Sequence, residues 1–338
     1  MGQTILEDFE HRTGHHCGSV AMADLLRYHG HDLSEAMVFG LGAGLGFYYF
    51  KSDHMSPSRQ IMGRHIDLEG NVAEALGLEL RASRTKDDDE AWDHVRGAID
   101  AGSPVLVQCD LSHLPYWETS TPFNGHRIVV AGYDDDEGVA MVADTHFEGL
   151  QRVPLDALRA ARASQAPPSM GNQNASWVLE PSKIRDLEAA AMDAIETNRS
   201  HMEEDPSGMG GLDVLREFAD DVMDWTERDD ASWCYKFGYQ VIEKRGTGGG
   251  FFRYLYRDFL RELVEMHPRL AAMQLPVSMT RTAEAWSTLA RYMEAMSRQL
   301  EPEGESPDED PAHHLESMAE AVYQFESTFW DRIAMLDV

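Results

Sequence analysis

The sequence predicts an α+β unit followed by an all-helical unit, and three observations carry that reading. Four β-rich runs follow one another between residues 104 and 180, after an N-terminal helical stretch. Beyond Pro181 the strand signal stops, and apolar residues recur at helical spacing. Runs of Gly, Pro and acidic residues, with no strands between them, punctuate those later segments. The predicted domains are therefore residues 1–181 and 182–338.

Taken in order, Cys17 to Tyr28 places Val20, Ala21, Leu25 and Tyr28 on one helical face, and Gly30 is the natural stop. Residues 71–76 read as a short helix closed by Gly77, residues 78–83 as a strand, and residues 91–101 as a helix closed by Gly102. Strands are expected over 104–111, 126–133, 138–144 and 176–180. Of these, VVAGYDDDEGVAMVAD reads as a hairpin with an acidic turn ending in Gly138. The sheet is therefore largely antiparallel. In the second half helices are expected over 184–202, 212–226, 252–266, 282–300 and 312–336. Phe252, Leu255, Phe259 and Leu263 form an apolar stripe in the third. Breakers fall at 205–208, at 246–250 and at 301–311, the last an acidic, Pro-rich stretch expected to be mobile. No internal repeat is visible.

Fifty-nine acidic residues against 29 basic ones give a formal charge of −30, and only five of the bases are Lys. Such a surface repels nucleic acid and anionic membranes, which excludes both as partners. The acids are spread along the whole chain, the pattern of a solvated surface adapted to high salt and not of a cation site. The chain has no 18-residue apolar run and no apolar segment after its acidic start, so neither a membrane span nor a secretory signal is expected. Three scattered cysteines make neither a disulfide framework nor a zinc ribbon. A reducing, cytoplasmic setting is the expectation, and a homo-oligomer stays open.

Chemistry points to Cys17, which stands where a helix begins in GHHCGS. Helix-terminal N–H groups and the helix dipole favour a thiolate there, although a lone Cys is more often a small buried residue. Two later residues change that balance. His126 opens one predicted strand, Asp144 closes the next, and antiparallel neighbours can bring both side chains to one face. Nucleophile at a helix start, base at a strand start, acid at the next strand end: that is the order for a Cys17–His126–Asp144 triad. Three His and a Cys between residues 10 and 17 also invite a metal reading, but adjacent residues converge poorly on one ion, so no metal is expected.

His16-Cys17 with its helix, GLGAGLGF at 40–47, Gly63-Arg64, and Gly125-His126 through Gly132-Tyr133-Asp134 together resemble the N-terminal domain of the butirosin biosynthesis protein H family. EKRGTGGGFFR at 243–253 resembles the helical domain that follows it there. The resemblance implies a papain-like cysteine peptidase/acyltransferase fold, related to peptidases that remove double-glycine leaders, with a helical cap or substrate domain. It implies an acyltransferase that passes an acyl or aminoacyl group from a thioester donor, on a carrier protein or CoA-like phosphopantetheine, to a small amine acceptor. No further cofactor is implied. The peptidase relatives place a Gln about six residues before the Cys, where this chain has His11, so a different second oxyanion donor is expected beside the Cys17 N–H. Among His11, Thr13, His15 and His16, the choice here is His16.

GLGAGLGF is not a dinucleotide fingerprint, because the residues before it look helical where a strand is required. Its glycines are expected to allow a tight backbone passage or positive φ. RGTGGG at 245–250 precedes a predicted helix start, where N–H groups bind anions. Arg245, Gly248, Gly249 and Arg253 are therefore expected to contact substrate, against the alternative of a plain interhelical loop. Tyr116 and Trp117 either line the cleft or simply pack. A peptidase or amidase using the same three residues, and a non-catalytic binding or assembly protein of the same fold, are the competing functions.

Overall fold

A computed structural model describes the chain except residues 1, 168–170, 206, 302–310 and 337–338, so nearly all of the stretch expected to be mobile lies outside the described residues. Two compact units form, Met1–Val38 with Val72–Arg185, and Phe39–Asn71 with Asp186–Val338. A single break near Pro181 is corrected in one respect: residues 39–71 belong with the helical half. The reason is packing. Phe39 stacks on Phe252 and Phe47 on Trp286, with centroids 5.6 and 5.8 Å apart. The Asn198 amide also bonds both the N–H (3.1 Å) and the C=O (2.8 Å) of Leu45.

In chain order the first half forms β1 (Gln3–Ile5), α1 (Cys17–Tyr28), α2 (Glu35–Leu41), β2 (Leu45–Lys51), β3 (Arg59–Arg64), α3 (Leu68–Leu76), β4 (Leu80–Ser83), α4 (Asp88–Asp100), β5 (Val105–Asp110), β6 (Asn124–Asp134), β7 (Val139–Asp144), β8 (Phe147–Pro154), α5 (Leu155–Ala163) and β9 (Ser176–Leu179). Among the described residues the first unit carries one sheet in the order β4-β9-β5-β6-β7-β8, with β1 also paired to β6. All its pairings are antiparallel. Helix α1 packs across β5, β6 and β7, while α4 and α5 also pack on the sheet. Val105, Val107 and Cys109 alternate toward Val95, Ile99 and Leu158 in one core, yet Leu106 is buried too. Burial on both faces explains why RIVVAGY reads as a continuous apolar run and not an alternating one.

The second unit contains the hairpin β2–β3 and helices α6 (Leu187–Glu203), α7 (Gly211–Asp221), α8 (Ala231–Glu243), α9 (Arg253–Leu263), α10 (Arg269–Ala272), α11 (Leu275–Gln299) and α12 (Pro311–Ile333). Helix α11 is the central element, packed on α8, α9 and α12. It begins seven residues before the expected 282, with Pro276 in its first turn, where a missing N–H costs nothing. Helix α8 lies where no helix is predicted, and its Trp233, Tyr235, Phe237 and Tyr239 alternate as in a strand. It is a helix because Cys234, Tyr235, Gly238 and Ile242 recur at helical spacing on its buried side.

The Gly-rich loop before α9 keeps a positive φ over five consecutive residues, Gly248, Gly249, Gly250, Phe251 and Phe252, with φ of 68°, 83°, 55°, 56° and 71°. Glycine takes that conformation freely, but each Phe costs about 1–2 kcal/mol there. Burial offsets the strain, since Phe251 is fully enclosed with its ring 4.7 Å from that of Trp286.

Candidate active site

Helix α1 is started by His16, whose backbone is extended and whose Nδ1 accepts the Ser19 N–H at 3.2 Å. The next residue, Cys17, is thereby the first of the helix, half-exposed, while Cys109 and Cys234 are buried. The loop before it is held by Glu35, whose carboxylate accepts the N–H groups of His15 (3.1 Å) and His16 (2.7 Å). Gly14 is required there: a Cβ would lie 2.5 Å from the Glu35 carboxylate and from Val20.

His126 and Asp144 come together across β6 and β7. The register Val129↔Ala143 makes them diagonal neighbours on one face, and His126 Nε2 donates to Asp144 Oδ1 at 2.8 Å. The Cys17 thiol hydrogen-bonds the same imidazole, for which Nδ1 is the ring nitrogen left. Both His126 and Asp144 are buried, at 4% and 1% exposure. Burial by itself would lower the imidazole pKa. The charge and hydrogen bond of Asp144, then those of Cys17, outweigh it and push His126 up to about 10. Asp144 is likewise held below the ordinary carboxylate value, burial being outweighed by His126 first and then by Trp117 and Tyr116.

Those two aromatics are what the sequence reading left undecided. Tyr116 Oη (2.7 Å) and Trp117 Nε1 (2.8 Å) both donate to Asp144 Oδ2. The Trp117 ring also stands edge-on to His126, centroids 5.4 Å apart. Three hydrogen bonds, one to Oδ1 and two to Oδ2, thus fix the orientation of the carboxylate. The end of β7 is tied in turn to the loop before Cys17. Gly14 N–H donates to the Thr145 carbonyl (2.9 Å), and His146 Nδ1 pairs with the Gly14 carbonyl (3.2 Å).

Several expected substrate contacts take other places. His16 is buried as the helix cap, its Nδ1 acting as an acceptor, so it sets the backbone under Cys17. Arg253 is fully enclosed in the second unit. Its Nε donates to Glu326 at 2.6 Å, and its other nitrogens to the carbonyls of Gly63, Phe251 and Gly46. A guanidinium so committed is an internal cross-link, not a substrate contact. The anion at the Gly-rich loop is the chain's own: Glu243 accepts the Gly250 N–H at 3.1 Å, while the Gly249 N–H goes to Thr247 Oγ1. Arg245 is exposed, bonded to Gln240 Oε1 and stacked over Phe237, and Gly248 is exposed beside it. Two clefts in the second unit, of about 160 and 440 Å³, are lined by none of the residues singled out from the sequence. Among the described residues no group of three His, Cys, Asp or Glu is placed to hold a metal ion, and no helix is long and apolar enough to cross a membrane.

The first unit therefore defines a class: an α+β protein in which a cysteine at a helix start, an imidazole and a carboxylate are hydrogen-bonded in series, with a helical region following in the chain. The chain belongs to the DUF4872 family, and its N-terminal region is similar to that of butirosin biosynthesis protein H. The family model for the N-terminal region of butirosin biosynthesis protein H matches residues 16–145, and that of a domain of unknown function (DUF4872) matches residues 156–333. No curated protein matches the chain.

Proposed function

We propose that this protein is a cysteine-dependent acyltransferase of papain-like fold, with Cys17 as nucleophile, His126 as proton carrier and Asp144 as the group that orients it. The observation that carries the reading is the continuous series Cys17–His126–Asp144, with His126 held cationic by its two partners. A buried imidazolium beside a thiol supports a resting thiolate–imidazolium pair.

In this mechanism Cys17 Sγ attacks the carbonyl carbon of a thioester donor, and the bond to the donor sulfur breaks. His126 gives its proton to the departing thiolate, leaving acyl-Cys17 and a neutral imidazole. Acylation removes the Cys17 charge, one of the influences that hold His126 up, so the ring is then able to accept a proton. An acceptor amine attacks the acyl carbon, its proton passes to His126, and Cys17 leaves as the thiolate. The match to the N-terminal region of butirosin biosynthesis protein H supports an acyltransferase-like role; transfer over hydrolysis, a thioester on phosphopantetheine as donor and a small amine as acceptor belong to this proposal. The steps use no metal and no further cofactor.

Mass spectrometry of the intact protein incubated with short acyl thioesters tests the proposal. A covalent adduct on Cys17 that is discharged faster by amines than by water is expected. Cys17→Ala should form none. Discharge by water alone would make the enzyme a hydrolase, and an unmodified Cys17 across a broad donor panel would overturn the nucleophile.

A further inference from the structure

Thirteen residues before Asp24 and far from β7 in sequence, His11 links the two. Its Nδ1 pairs with Asp24 Oδ2 at 2.5 Å and its Nε2 with the main-chain carbonyl of Asp144 at 3.2 Å. The side chains of His11 and Asp24 are each only 2% exposed. A carbonyl oxygen only accepts, and so does a carboxylate, so both ring nitrogens must donate and the ring is an imidazolium. Asp24 is fixed from its other oxygen, Oδ1, which accepts Arg27 Nη1 at 2.8 Å and the Arg12 N–H at 3.4 Å. The candidate site thus contains a second imidazolium–carboxylate pair, joined to the first through the backbone of Asp144.

We propose that His11 is a positioning residue: paired with Asp24, it holds the Asp144 main chain from behind and so keeps that carboxylate aligned on His126. The proposal rests on the reading of Cys17, His126 and Asp144 as the reacting set. A buried ion pair is weak evidence for stability, because well-packed apolar groups often replace one without loss. Its geometric consequence here is specific. Tyr116 and Trp117 fix the Asp144 carboxylate from one side, and at the main chain the His11 bond to the carbonyl adds to the β7–β8 pairing of Asp144 with Phe147. The charged groups facing the His11 ring are Asp24 and Arg27 from α1 and Asp144 from β7, with the Arg12–Asp32 pair beside them. Asp24 outweighs the effect of burial and raises the His11 pKa, with the Asp144 carbonyl adding to it.

The test is the pH profile of Cys17 alkylation by iodoacetamide, read by peptide mass and normalised to the folded fraction. His11→Gln must turn its carbonyl oxygen toward one of two acceptors. A loss of about tenfold or more in rate at pH 7, with an altered profile, is expected. Adding Asp24→Asn restores complementarity, because the Asn amide nitrogen donates to the Gln oxygen and the Gln nitrogen donates to the Asp144 carbonyl. The double variant should return to within about threefold of the parent, a rescue that general loosening would not produce. A His11→Gln profile that superimposes on that of the parent overturns the proposal, as does a double variant no faster than the single one. Should His11→Gln not fold, Asp24→Asn alone decides. It leaves a neutral ring still donating from Nε2, so the parental profile is expected, and a tenfold loss there would place the effect in the Asp24 charge and sink the idea. If Cys17 is unreactive in the parent protein too, the nucleophile reading falls and this one with it. Normal labelling in the parent with no effect of His11→Gln removes His11 alone.

Discussion

Asp144→Asn keeps the shape of the side chain and removes its charge, and the outcome follows from three hydrogen bonds. Oδ1 accepts from His126, and Oδ2 accepts from both Tyr116 and Trp117. An amide cannot serve both sides. With its oxygen toward His126, its NH2 meets the indole N–H of Trp117, which donates only. With the NH2 toward His126, the imidazole must present a lone pair there and carry its proton on the nitrogen facing Cys17. Asp144 also supplies the two largest influences that raise His126 against burial, up to about 10. Three pH units between neutrality and that value, at 1.36 kcal/mol each, correspond to about 4 kcal/mol favouring the imidazolium at pH 7. Withdrawing it should cut the imidazolium-to-imidazole ratio of His126 at pH 7 on the order of 10³-fold, to near parity, and with the wrong tautomer facing Cys17 the reactivity should fall as it does when the orienting acid of a triad is neutralised. The assay is the initial rate of iodoacetamide labelling at Cys17 between pH 6 and 9. It reads one thiol, because Cys109 and Cys234 are fully buried. Folding is followed by thermal unfolding, with a cost of about 1–3 kcal/mol expected for the mismatched donor. Equal labelling rates at pH 7 in the variant and the parent, with the same pH profile, would refute the reasoning.

Other perturbations test separate parts of the structure. His126 is raised when folded, so its stabilising contribution is complete below its ordinary 6.5 and disappears as pH climbs through about 10. The unfolding temperature should therefore fall between pH 7 and 10, and fall less steeply in His126→Gln; parallel slopes would remove the link. Glu326→Gln strips the partner from the enclosed Arg253 and weakens the bonds to Trp286 and Trp330. A cost of about 3–5 kcal/mol is expected, seen as a drop on the order of 10 °C in calorimetry, and a change under about 2 °C would show that the cross-link carries little. At a charge of −30, self-repulsion should make the melting temperature rise steeply from dilute buffer to molar salt. A flat curve would leave the acidity without a salt-adaptation account.

Local pattern carried the parts of the fold whose causes are local. The helix at Cys17–Tyr28 matches its predicted bounds because an apolar stripe and a terminal Gly lie within 14 residues of each other. The strands holding His126 and Asp144 were legible as β-rich runs, and their order along the chain sufficed to nominate the three residues that the structure brings together. Strands β2 and β3 and the membership of residues 39–71 were not legible. Short aromatic and Gly-containing runs fit helix or strand equally, and only the partners in α6, α7 and α8 decide between them.

Composition and chain order determined that this is an acidic α+β chain with a helical half, and they singled out a thiol, an imidazole and a carboxylate in a suggestive sequence. Tertiary structure alone decided what surrounds them. Tyr116 and Trp117 reach Asp144 across 27 or more residues, His11 reaches it across 133, and Arg253 meets Glu326 across 73. That last distance is why both Arg beside the Gly-rich loop read as substrate contacts while Arg253 is in fact paired with Glu326 inside the core. Hydrogen bonds and ion pairs act over about 3 Å in space, and a sequence records separation along the chain. Where folding closes a long loop, the identity of the partner is information that only the closed loop contains.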